Sequence, residues 1–174
     1  MELSELMSTR YSVRQFQNRV IDKQVLNTIL QAGQVAPTAC NNQPQRILVV
    51  QDPDRLARLA AVTRYTFGAP CLLVVCSDPS VSWKRSYDGL NSATIDAGIV
   101  ATHMILQAWA LGVGSCWVCA FDPAKVRRAL CIPDRYQIEF LLPMGYPAPD
   151  AVPSANHASR KPLQKTVFYE EFPQ

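Results

Sequence analysis

Apolar and polar positions alternate along this chain in two rhythms, one of helical period and one of strand length. Val25, Leu26, Ile29, Leu30 and Ala32 share one helical face, with Asp22 placed to cap the start and Pro37 to stop the chain. A polar stretch, APTACNNQPQ, separates this helix from RILVV, a short apolar run of strand length. Asp52 and Pro53 then form a cap and first-turn pair for a helix carrying Leu56, Leu59 and Ala60, and CLLVV is the next strand. SDPSVSWKRSYDGLNS is polar and turn-rich, so a loop is expected there. From Ala93 to Leu111 the helical pattern is apolar almost all round, through Ile99, Val100, Met104, Leu106 and Ala108, and Gly112 closes it. A helix of that kind belongs in the middle of a domain. VGSCWVCAF has a strand pattern, Asp122 and Pro123 open a helix to Leu130, and IEFLLPMGY is expected to be a final central strand. No repeat or low-complexity linker interrupts the order, so one domain over 1–174 is expected. By itself the alternation suggests an α/β layering.

After Tyr146 the character changes. Pro147, Pro149, Pro153, Pro162 and Pro173 predict an extended tail, yet it ends in the apolar VFYEEF. Val167, Phe168, Tyr169 and Phe172 are therefore expected to dock along another surface, either a partner subunit or the chain's own domain.

Composition narrows the function classes. With 48% apolar and 18% charged residues in 174, the chain can bury a sizeable core. Its net charge of +3 comes from scattered basic residues, which argues against a nucleic-acid stripe or polybasic membrane patch. No run reaches the roughly 20 apolar residues of a membrane span. The opening MELSELMSTR is acidic where an export signal would be basic, so a cytoplasmic protein with reduced cysteines is expected.

Conventional catalytic sets are missing. There is no GxSxG, HExxH, P-loop or complete GxGxxG, since GVGSCW lacks the third glycine. The two histidines, His103 in the buried helix pattern and His157 in the tail, do not suit a nucleophile's base, and Asp88 and Asp96 read as loop and cap residues. Cys116 and Cys119 in CWVC invite a thiol-redox or metal reading. No second cysteine pair completes a zinc set, so two core cysteines are the simpler account. An enzyme built from this inventory would rely on a bound cofactor for its reactive atoms. Arg10, Ser12 and Arg14 alternate in RYSVR, so an extended backbone turns all three the same way. Arg160 recurs in SRKP. That pattern suits either a solvated strand face or an anion site, where paired guanidiniums grip phosphate.

Five strings in order, RYSVRQF, APTACNNQP, GVGSCWVCAFDP, IPDRYQIEFLLPMGYP and ASRKPL, resemble the nitroreductase family of FMN-dependent NAD(P)H oxidoreductases over nearly the whole chain. The resemblance moves the expected fold to α+β: a three-layer α-β-α arrangement with a mostly antiparallel central sheet, helices on both faces, and an extended C-terminal segment exchanged with the partner subunit. It implies a homodimer holding two FMN molecules at the subunit interface. Arg10 and Ser12 would lie near the phosphate, Arg14 toward the N1 and O2 edge of the ring, and Arg160 at the phosphate again. Pro37, Thr38, Ala39 and Asn41 would reach the ring from the other subunit, with Gln43 nearby, and Cys119 and Ala120 would face N5 and O4.

By the same resemblance NAD(P)H gives hydride at N5 and a nitroaromatic, quinone or similar acceptor takes it, by a ping-pong mechanism. Cys40, Gln45 and Ala120 depart from residues common in the family, and the short chain implies a relatively open site. A flavin-binding protein without efficient turnover and a CWVC thiol-redox protein are the alternatives.

Overall fold

A computed structural model describes residues 2–173. Its regular elements are α1 (Leu3–Thr9), α2 (Lys23–Gln34), β1 (Gln45–Val50), α3 (Pro53–Ala60), β2 (Cys71–Ser77), α4 (Ala93–Ala110), β3 (Gly114–Ser115), α5 (Pro123–Leu130) and β4 (Gln137–Gly145). The strands form one sheet in the order β1-β2-β4-β3, antiparallel at every pairing.

Strand β2 explains the layering. Every residue from Cys71 to Ser77 is buried, so the strand must be covered on both faces. Cys71, Leu73 and Val75 point into a core shared with α2 and α4, through Leu26, Ile29, Val100 and Met104. Leu72, Val74 and Cys76 point the other way, into a core with Leu59 of α3 and Val126 and Leu130 of α5. This is the three-layer α+β arrangement implied by the resemblance, where alternation alone suggested α/β. β1 and β2 are antiparallel neighbours joined through α3 where a short turn would serve, so strand–helix alternation is a poor guide to strand direction here.

A register shift lies between the pairs Val75↔Phe140 and Cys76↔Ile138, leaving Glu139 as the extra residue on β4. The bulge lets Ile138 join Leu141 in one core while Phe140, Leu142 and Met144 fill the other. Ser77 donates from its hydroxyl to the Glu139 carboxylate, which gives the buried hydroxyl a partner.

Two sequence expectations change. VGSCWVCAF forms regular strand only at Gly114–Ser115, with Val118 bridged singly to Leu141. Cys116 N–H donates to the Pro143 carbonyl at 3.1 Å, but Pro143 has no N–H to return, so the ladder breaks there. The opening segment, for which the pattern predicted no element, forms α1. This seven-residue helix has no side-chain cap and leans on α4, where Trp109 Nε1 donates to Thr9 Oγ1 at 3.1 Å.

Helix α4, expected in the middle of the domain, instead lies in one outer layer: Ala97, Val100, Ala101, Met104 and Ala108 are buried against the sheet and α2, while Ile95 is 52% exposed. No helix among the described residues is long and apolar enough to cross a membrane. Gly33 allows α2 to approach it: a Cβ there would lie 2.7 Å from Met104 Cγ. The tail is not extended throughout as expected: its first part runs back along residues 15–17, Leu163–Lys165 makes a 3-10 turn, and the Phe168 and Phe172 rings meet at 5.3 Å, while Tyr169 stays 82% and Phe172 79% exposed.

All six cysteines are free. Burial raises the Cys71 thiol to about 12 and the Cys76 thiol to about 11, and also pushes Cys116 up. CWVC is thus split between a buried Cys116 and an exposed Cys119. In the native protein at pH 8, Cys71, Cys76 and Cys116 should resist a thiol reagent that labels all six after unfolding, as read by mass spectrometry.

Gly114 sets the placement of the N-terminal segment. A Cβ on it would lie 2.5 Å from Val13 Cγ2, and Val13 is stiff and fully buried. Gly114→Ala should destabilise the protein by about 1–3 kcal/mol. Val13→Ala should cost less in that background than in the native one, and a urea-unfolding double-mutant cycle that proved additive would contradict the contact.

Candidate functional site

The site begins with the inward turn of Val13. Its N–H donates to the Ser115 carbonyl at 3.0 Å, and Ser12 bridges Ser115 in parallel, so residues 10–14 lie extended beside β3. With Val13 buried on one side, Arg10, Ser12 and Arg14 emerge on the other. The chain leaving β4 then runs back along this segment. Gln17 N–H donates to the Tyr146 carbonyl at 2.9 Å, Ala148 N–H to Gln15 at 3.0 Å, and Phe16 bridges Pro147. Tyr11 clamps the return: its hydroxyl donates to the Ala151 carbonyl at 3.1 Å while its ring stands edge-on to Trp109, 5.2 Å between centroids.

The returning segment turns on itself, with His157 N–H bonded to the Ser154 carbonyl at 2.8 Å and Arg160 donating to the carbonyls of His157 and Ser159. A cavity of about 210 Å³ results, lined by the guanidiniums of Arg10, Arg14 and Arg160 with Tyr11, Ser12, Ser154, Asn156 and His157. No carboxylate lines it, and none of the three arginines joins an ion pair among the described residues. Burial holds the Arg10 guanidinium below its ordinary value; Cys116 opposes the shift and Arg160 adds to it. Clustered cations beside donor hydroxyls and an amide have the chemistry to hold an anion, each charge-assisted hydrogen bond to which would be worth roughly 1.5–3 kcal/mol.

The second element is the loop after α2. Pro37, Asn41 and Gln43 are exposed, and Thr38 and Ala39 half-buried. Cys40, Asn41 and Gln43 have positive φ of 51°, 54° and 50°, a conformation that costs of order 1–3 kcal/mol at a non-glycine residue. Gln43 N–H donates to Thr38 Oγ1 at 3.1 Å, Arg46 donates to the Gln43 carbonyl at 3.1 Å, and Ala39 N–H reaches Asp96 Oδ1 on α4 at 2.9 Å.

The third element is Cys119 and Ala120, exposed between Val118, doubly bonded to Leu141 at 3.0 Å, and Asp122, which caps α5.

Of the residues expected from the sequence, the structure gathers Arg10, Ser12, Arg14 and Arg160 around one cavity. Pro37, Thr38, Ala39, Asn41 and Gln43, with Cys119 and Ala120, lie outside its lining. Sequence reasoning missed Tyr11, Ser154, Asn156 and His157. The available signal was spacing, since His157 precedes Arg160 by three residues and shares its turn. Asp96, read as a cap residue, is instead 2% exposed and bonded to the loop.

The Nitroreductase family profile matches residues 7–67 and 63–146. An Archaeoglobus fulgidus protein named as an NADH dehydrogenase/NAD(P)H nitroreductase is 31% identical over 155 residues, 84% of this chain and 86% of that one. A nitroreductase family protein from Clostridium difficile superposes at TM-score 0.92 with 36% identity, covering 99% of this chain and 100% of the other. A Desulfovibrio desulfuricans structure solved in complex with FMN superposes at TM-score 0.82 with 30% identity over 99% of each chain. Matched in sequence from the RYSVR strand to the end of β4 and in fold over almost every residue, the chain belongs to the nitroreductase family.

Proposed function

We propose that this chain is an FMN-dependent oxidoreductase that takes hydride from NAD(P)H and passes reducing equivalents to a nitroaromatic, quinone or similar acceptor, in two half-reactions of ping-pong type. The observation that carries the reading is the meeting of Arg10, Arg14 and Arg160 in one cavity without a carboxylate. A phosphate monoester, with close to two negative charges at neutral pH, fits that donor set in charge and chemistry. The relatives' names, for NAD(P)H nitroreductase activity and an FMN complex, agree with it.

When bound, FMN supplies a ring that accepts hydride at N5 and gathers negative charge at its N1 and O2 edge. Arg10, Ser12 and Arg160 hold the phosphate and so fix where the ring must lie. Arg14, exposed at the edge of the cavity with one donor on the Ser12 carbonyl at 3.2 Å, has further N–H groups to offer that edge and stabilises charge there. Thr38, Ala39 and Asn41, with Pro37 and Gln43 beside them, would help hold the ring from a second copy of the chain, and Cys119 and Ala120 would offer it backbone groups.

Two features support the homodimer and the exchanged tail. The outer edge of β1 is unpaired in the sheet, and Gln45 Oε1 and Gln51 Nε2 at its two ends are buried without partners. Leu163, Phe168, Tyr169 and Phe172 meanwhile stand exposed on the C-terminal segment, an apolar surface open to a partner.

Purified protein should be yellow, sediment as a dimer, and bleach anaerobically with NADH or NADPH. A colourless chain that takes up no added FMN would refute the reading, and a yellow one that neither nucleotide bleaches would leave a flavin-binding module. Arg10→Ala and Arg160→Ala should each weaken FMN binding about tenfold or more, read by fluorescence titration. Arg14→Ala should make the two-electron potential of the bound flavin more negative, read by dye equilibration, because the reduced ring then lacks its neighbouring cation.

A further inference from the structure

Asp96 is a carboxylate in an unusual position. It sits in the first turn of α4, 2% exposed, in no ion pair among the described residues. A buried ionisable side chain is retained where its hydrogen bonds do something an apolar residue could not. Each oxygen has its own partner. Ser92 donates to Oδ2 at 2.7 Å, and Ala39 N–H, 57 residues away, donates to Oδ1 at 2.9 Å.

The Ala39 bond is the informative one. Segment 38–43 carries positive φ at Cys40, Asn41 and Gln43, so it needs outside support to keep its shape. Most of its hydrogen bonds are internal: Asn41 N–H to Thr38 at 2.9 Å, Asn42 N–H to Ala39 at 3.1 Å, and Gln43 N–H to Thr38 Oγ1. They would move with the loop. Arg46 holds its far end at the Gln43 carbonyl, and among the described residues Asp96 makes the hydrogen bond that joins its near end to the helical layer.

We propose that Asp96 is the positioning residue that locks segment 38–43 in its left-handed conformation, so that the loop is already shaped to receive the flavin ring. This rests on the FMN reading above. Asp96 touches no flavin; it acts through the Ala39 amide. Ser92 presets the rotamer by engaging the second oxygen. The requirement is for an acceptor of this length, since Asn retains one oxygen for Ala39 N–H and the Ser92 hydroxyl can reverse to accept from its amide.

Hydrogen exchange on the flavin-free chain tests the lock, and FMN titration tests its purpose. Asp96→Ala should speed amide exchange across 39–43 and weaken FMN binding, each about tenfold or more, and Asp96→Asn should restore both to within about threefold. If Asp96→Ala does not fold, Asp96→Ser, shorter by one bond, replaces it with the same expectation. Unchanged exchange in the variant would overturn the proposal. So would faster exchange with unaltered FMN affinity, or Asp96→Asn failing as badly as Asp96→Ala. A wild-type chain that binds no FMN would remove the flavin reading instead, while the exchange comparison would still decide whether Asp96 locks the loop.

Discussion

Withdrawal of the Arg10 guanidinium from water, with the Arg160 cation brought beside it, is the constraint around which the cavity is organised. Arg10 and Arg160 come from opposite ends of the chain, and Arg10 is drawn far enough from water for its proton affinity to fall. Like charges placed together in a partly desolvated site are costly unless something else holds them there. Here the apolar contact of Val13 with Gly114 sets the extended segment 10–14, and the Tyr11 hydroxyl bond to Ala151 sets the return of the tail. Stability drawn from the core thus holds together cations that would otherwise separate.

The loop at 38–43 stores a second, smaller unfavourable energy. Its three left-handed residues are not glycines, so the conformation persists only because neighbouring elements over-determine it. Arg46, which bonds the Gln43 carbonyl and also pairs with Asp78 at 3.9 Å, ties one end to the sheet. The carboxylate on α4 ties the other. Both strained features lie on segments flanking the three layers, while the sheet and its two cores are regular apart from one bulge. This division is the one expected when a rigid scaffold carries a preorganised site.

The tail fits the same logic from the opposite side. Five prolines break it into short turns, at Ser154–His157 and Leu163–Lys165 among others, and Tyr169 and Phe172 remain in water in the single chain. At the other side of the molecule, among the described residues, the outer edge of β1 is unpaired and Gln45 Oε1 and Gln51 Nε2 at its ends are buried without hydrogen-bond partners.

Much of the fold was legible in the residues because local rules and tertiary demands agree. Asp52-Pro53 and Asp122-Pro123 start helices wherever they fall, the face of Val25, Leu26 and Ile29 needs a neighbour, and an all-apolar CLLVV must be covered on both sides. The alternation of Arg10, Ser12 and Arg14 likewise follows from backbone geometry alone. What the sequence could not settle depends on contacts across the chain. Strand direction required knowing that α3 joins antiparallel neighbours, and the broken ladder at Cys116 required knowing that Pro143 lies opposite. Whether the arginines lie apart on a solvated face or line one cavity was decided by the return path of the tail, which no local pattern encodes. Asp96 shows the limit most clearly. Its type and spacing are those of any helix-start acid, and only packing, by removing water and bringing in the Ala39 amide, turned it into a buried support for a distant loop.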